Sequence, residues 1–136
     1  MDIAVDFDGT VVMHEYPELG ENVVGAVEVL KKLVAHNHNL ILWTMRNEKE
    51  LQDAVDWYAK HEIPLYGINC NPSQSEWTNS PKAYAKVYID DAALGCPLHT
   101  NVVQDGDELK QIGKPFVDWK KIEEMLISKG IITNQD

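Results

Sequence analysis

The segment Ile3-Ala4-Val5-Asp6-Phe7-Asp8-Gly9-Thr10 sets a short apolar run directly against two aspartates, a glycine and a threonine. Three apolar residues closed by polar and turn residues read as a buried strand. The same pattern recurs further along. Leu40-Ile41-Leu42-Trp43 ends at Thr44, and Lys86-Val87-Tyr88-Ile89 ends at Asp90-Asp91. Leu65-Tyr66-Gly67-Ile68 is a weaker third strand, and Val102-Val103 is a candidate fifth.

Helical periodicity fills the intervals. Glu21 to Ala35 repeats Val23, Ala26, Val27, Leu30, Leu33 and Val34 at helical spacing. Glu48 to Lys60 places Leu51, Ala54, Val55 and Tyr58 on one face, and Trp119 to Lys129 turns Ile122, Met125 and Leu126 inward. Asn69 to Pro81 is rich in Asn, Ser and Pro and reads as a loop. Strands alternating with helices predict an α/β fold, a three-layer Rossmann-like domain with a mostly parallel central sheet. In such sheets ligands gather beyond the carboxyl ends of the strands. Asp6, Asp8, Thr44, Asp90 and Asp91 all lie at such ends, so residues dispersed in sequence should converge in space.

The 136 residues suit one domain, residues 1–136, with one core. Twenty-two acids against 12 Lys and Arg leave a formal charge of −10. That balance repels phosphate backbones and anionic lipid, which disfavours nucleic acid. No apolar run approaches the length of a membrane span, and the start lacks the features of a signal peptide, so a cytoplasmic location is expected. Cys70 and Cys96 are far apart, without CxxC spacing, which argues against a disulfide framework. The five histidines form no HxxxH or HExxH pair.

Four carboxylates at one edge cannot all stay ionised and unpaired in a partly dry site. Either their pKa values rise or a cation is present. Hard oxygen donors with few histidines favour Mg²⁺, which recruits phosphate oxygens. No EF-hand loop, no P-loop and no dinucleotide-binding glycine motif occurs.

Asp6-Phe7-Asp8-Gly9-Thr10 resembles the signature of the haloacid dehalogenase-like (HAD) phosphatase superfamily. Thr44, Lys82 and Asp90-Asp91 match its other three motifs in order, and the resemblance runs through about Leu94. It implies Asp6 as the nucleophile that forms an aspartyl-phosphate. It implies Asp8 as general acid for the leaving oxygen and then general base for water. Thr44 Oγ, with main-chain N–H groups near Gly9 and Thr10, would hold the phosphoryl oxygens. Lys82, in preference to Lys86, would orient Asp6 and offset charge. Mg²⁺ would sit on the Asp6 carboxylate, the Asp8 carbonyl and the acidic pair, with Asp91 as the direct ligand and Asp90 behind it.

Only 35 residues separate Asp8 from Thr44, and 37 separate Thr44 from Lys82. Neither interval holds a cap domain, so the chain resembles the capless branch. Such a site is open to a phosphorylated small molecule or macromolecule, and a homo-oligomer could supply a lid. The expected activity is Mg²⁺-dependent phosphomonoester hydrolysis. The alternatives are a phosphotransferase, a polynucleotide end phosphatase, or a non-catalytic phosphate-binding module. Arg46 either grips a substrate phosphate or carboxylate or lies on the surface at a helix start. His14 and Glu15, in the flap after the first motif, either line the entrance or are solvated loop. Trp77 either stacks on substrate or packs beneath its loop.

Overall fold

A computed structural model describes residues 1–134, and for 101, 102, 111 and 112 the backbone alone. Four parallel strands form the central sheet: β1 (Asp2–Val5), β2 (Asn39–Leu42), β3 (Gly67–Ile68) and β4 (Val87–Ile89), in the order β3-β2-β1-β4. β1 pairs with β2 from Asp2↔Asn39 to Val5↔Leu42, and with β4 from Ile3↔Val87 to Val5↔Ile89. The α/β architecture read from the alternation is therefore the observed one.

Alternation along the strands assigns the faces. Ile3, Val5, Leu40 and Leu42 join one core with residues of α1 (Ala26–Ala35), α2 (Glu48–Lys60) and α3 (Trp119–Ser128). Ala4 and Ile41 are equally buried but point to the other face. The crossover from β3 to β4 covers that face, and Asn71 ties it down by donating to Asp2 Oδ2 at 2.8 Å. This third layer carries one turn of 3₁₀ helix, Gln74–Glu76. The layering obeys the right-handed crossover rule. Two successive steps from β1 to β3 put α1 and α2 on one side, and the return to β4 must pass on the other.

Two expectations are corrected, and the candidate fifth strand is found in a sheet of its own. The first helix starts at Ala26, not Glu21. The backbone before it pairs with the flap instead: Met13 N donates to Glu21 O and Val23 N to Val11 O. Gly25, at φ 87°, then turns the chain into the helix. Val102-Val103 lies in β5 (Leu98–Asp105), which pairs antiparallel with β6 (Glu108–Val117) in a separate two-stranded sheet. Gly106-Asp107 is the two-residue turn behind that pairing, with Gly106 at φ 64° in the first central position. Met125 is 44% exposed, so α3 buries Ile122 and Leu126 without it. Among the described residues no helix is long and apolar enough to cross a membrane.

Candidate active site

β1 has β2 on one side and β4 on the other, and the chain reaches them by crossovers of opposite direction. The carboxyl end of β1 is therefore the switch point of the sheet, where a crevice must open. Asp6 continues β1, its N–H donating to Ile89 O at 2.9 Å. Asp90 and Asp91 follow directly from the neighbouring strand. Asp6, Asp90 and Asp91 each present a carboxylate oxygen, and the three oxygens lie within 4.8 Å of one another. An open cavity of about 310 Å³ borders them, lined by Asp6, Trp43, Thr44, Met45, Asn69 and Asp90.

Thr10 braces this cluster from below. Its buried hydroxyl donates to Asp6 Oδ2 at 2.8 Å and accepts from Asp91 N at 3.1 Å. His14 reaches in from the flap, with Nε2 3.0 Å from Asp91 Oδ2. Of the three acids, Asp91 is the one that this imidazole contacts. Gly9, at φ 82°, leaves no room for a Cβ, which would collide with the His14 imidazole and the Asp91 carboxylate. Burial pushes the Asp6 carboxyl up to about 8, helped by a hydrogen bond that protonated Asp6 donates to Asp91 and by the charges of Asp90 and Asp91, against the lowering effect of Thr10. Three crowded acids with hard oxygen donors fit a divalent cation such as Mg²⁺, which would relieve that repulsion.

Asp8 faces a different environment. Arg46 Nε and Nη2 bind its two oxygens, both at 2.8 Å. The remaining guanidinium donors go to main-chain carbonyls: Nη2 to Glu18 at 2.8 Å, and Nη1 to Pro17 at 3.2 Å and Glu50 at 3.3 Å. Arg46 is 2% exposed. The Asp8 hydrogen bonds and charge raise its already high pKa despite burial, so the guanidinium stays charged. Both expectations for Arg46 are thus overturned. It is neither a surface residue nor open to substrate, because every donor is spent inside the protein.

Other expected residues sort as follows. Thr44 lines the cavity, its N–H held by Asn69 Oδ1 at 2.8 Å and its Oγ1 accepting from Arg46 N at 3.1 Å. The following helix takes Asn47, not Thr44, as its N-cap residue. The main-chain N–H groups of Gly9 and Thr10, expected to receive phosphoryl oxygens, donate instead to Val12 O at 2.7 Å and Phe7 O at 3.1 Å. Lys82 is exposed, with its ammonium 5.5 Å from the Tyr88 ring centroid, and no hydrogen bond or ion pair joins it to Asp6. Trp77 is exposed and meets Tyr84 edge-on at 5.7 Å. Glu15 is exposed on the flap. Cys70 and Cys96 are free thiols. Met45 and Asn69 are cavity residues that pattern reading missed. For Asn69 a signal existed: its position just past β3, at a strand end like the others.

The fold and site define an α/β protein with an acidic cluster at the switch point of a parallel sheet. No family model and no curated protein matches the sequence. A solved structure does: a conserved protein coded by a locus of Bacteroides thetaiotaomicron is 37% identical, with a TM-score of 0.73, over 95% of this chain and 91% of that one. The chain belongs to the family of that Bacteroides protein.

Proposed function

We propose that the protein is a Mg²⁺-dependent phosphomonoester hydrolase of the HAD type, without a cap. The observation that carries this reading is the cluster of Asp6, Asp90 and Asp91, with Asp8 two residues past the proposed nucleophile. The order of Asp6, Asp8, Thr44 and Asp90-Asp91 along the chain supports it as well.

Asp6, Asp90 and Asp91 would hold the metal. A bound Mg²⁺ supplies positive charge that favours ionised Asp6 and neutralises phosphoryl oxygens. The Asp6 carboxylate attacks phosphorus and the ester oxygen leaves, which forms an aspartyl-phosphate. Asp8 gives its proton to that oxygen. It then takes a proton from the water that attacks phosphorus, and phosphate leaves with Asp6 restored. Thr44 faces the reacting group across the cavity and orients it. The open cavity sets no size limit on the rest of the substrate, so small and macromolecular phosphoesters are both candidates.

The test is phosphate release from a panel of small phosphomonoesters, with Mg²⁺ and with EDTA, for wild type and Asp6→Asn. Metal-dependent turnover that falls at least about 10³-fold in the variant is the expected result. Turnover indifferent to EDTA, or retained in Asp6→Asn, would overturn the reading.

A further inference from the structure

We propose that Arg46 is a positioning residue that couples the placement of the flap, residues 13–20, to the Asp8 carboxylate. The inference rests on the reading of Asp8 as the acid and base. Arg46 grips Asp8 with two donors and the flap with two more bonds, to Pro17 O and Glu18 O. The fifth contact, to Glu50 O, anchors the same guanidinium to α2. Rings lie about it, with the guanidinium carbon 5.3 Å from the Phe7 centroid and 5.2 Å from that of Tyr16. A planar fork fixed on so many sides cannot shift toward one partner without pulling on the others.

Besides Arg46, the flap is held by His14 on Asp91 and by Met13 N on Glu21 O. Residues 15 to 19 are exposed on its outer side. Its inner carbonyls rest on Arg46. Contact between a leaving group and the flap is thereby transmitted to the group that protonates that leaving group. Lysine cannot stand in, because a point charge has neither the fork nor the number of planar donors needed to span Asp8 and three carbonyls.

A merely structural arginine would slow every substrate alike. A residue that positions the acid matters most where the leaving oxygen needs its proton. The experiment compares kcat and KM on an alkyl phosphate, a poor leaving group, and on p-nitrophenyl phosphate, a good one, with Mg²⁺. The proteins are wild type, Arg46→Lys, Asp8→Asn, the double variant, and Tyr16→Leu. Arg46→Lys should lower kcat on the alkyl ester on the order of 10²-fold, and on the aryl ester by less than about five-fold. KM should change little, and the double variant should be no slower than Asp8→Asn alone. Tyr16→Leu alters an exposed ring and should show the same skew, smaller. Equal losses on the two esters, or losses that multiply in the double variant, would overturn the proposal while leaving the hydrolase reading intact. If circular dichroism shows Arg46→Lys unfolded, Tyr16→Leu decides, and a uniform or absent effect overturns the coupling. A wild type inert on both esters overturns the hydrolase reading and the coupling together.

Discussion

Asp6 and Asp8 are two residues apart, yet the two sides of their loop solve opposite electrostatic problems. On the Asp6 side three carboxylates converge, and a flap imidazole contacts Asp91. On the Asp8 side one carboxylate meets a guanidinium that is almost fully buried. The first side gathers negative charge; the second pairs it with a positive one. The contrast teaches that proximity in sequence says little about a carboxylate's task. Its partners, drawn from β4 in one case and the β2–α2 connection in the other, assign it.

The sharpest way to break this contrast is Arg46→Ala. It strands Asp8 and three carbonyls without their donor, and should lower unfolding free energy by about 3–5 kcal/mol in urea titrations. A loss under 1 kcal/mol would mean that the clamp is not needed for folding. On the other side the sign should reverse. Folded, metal-free protein holds the Asp6 proton up to a pKa of about 8, whereas the unfolded chain releases it near 3.8. Between those values the native state binds more protons, so its stability must fall as pH rises from about 4 to 8. About 1–3 kcal/mol is expected from denaturation midpoints across that range, and Asp6→Asn should flatten the slope.

Mg²⁺ offers a third handle. At a hundredfold excess over its dissociation constant, it should stabilise wild type by about 2.7 kcal/mol. Thermal melts should register this as a rise in Tm, and Asp6→Asn should lose most of it. The smallest effect belongs to His14→Ala. Removing the 3.0 Å contact with Asp91 should cost about 0.5–1.5 kcal/mol in the metal-free protein. It should cost less once Mg²⁺ is added, as the same melts would show.

Much of the sheet was legible because buried parallel strands leave apolar runs of recognisable length, each ended by a polar residue. β1, β2 and β4 were found that way, and with them the convergence of Asp6, Asp90 and Asp91. The start of α1 was not, because Val23 fits a helical face and a pairing with Val11 equally well. Only the Val102-Val103 part of the β5–β6 hairpin was legible, because its apolar content is weak; Gly106-Asp107 forms its turn. Arg46 was the instructive miss. Spacing placed it beside the site, but a sequence cannot say whether a guanidinium at a strand end points outward to ligand or inward to protein. The deciding groups were main-chain carbonyls of Pro17, Glu18 and Glu50, which carry no side-chain signature.

Two hydrogen bonds tie the first loop to the far end of the chain. Trp119 Nε1 donates to Thr10 O at 2.6 Å, and Val117 N donates to Gly9 O at 3.0 Å. The loop that shapes the carboxylate cluster is thus fastened by residues more than a hundred positions later. A nascent chain has the Asp6 loop early but cannot secure it until Trp119 has left the ribosome. Unfinished chains should therefore carry the acidic residues of the cluster without their arrangement.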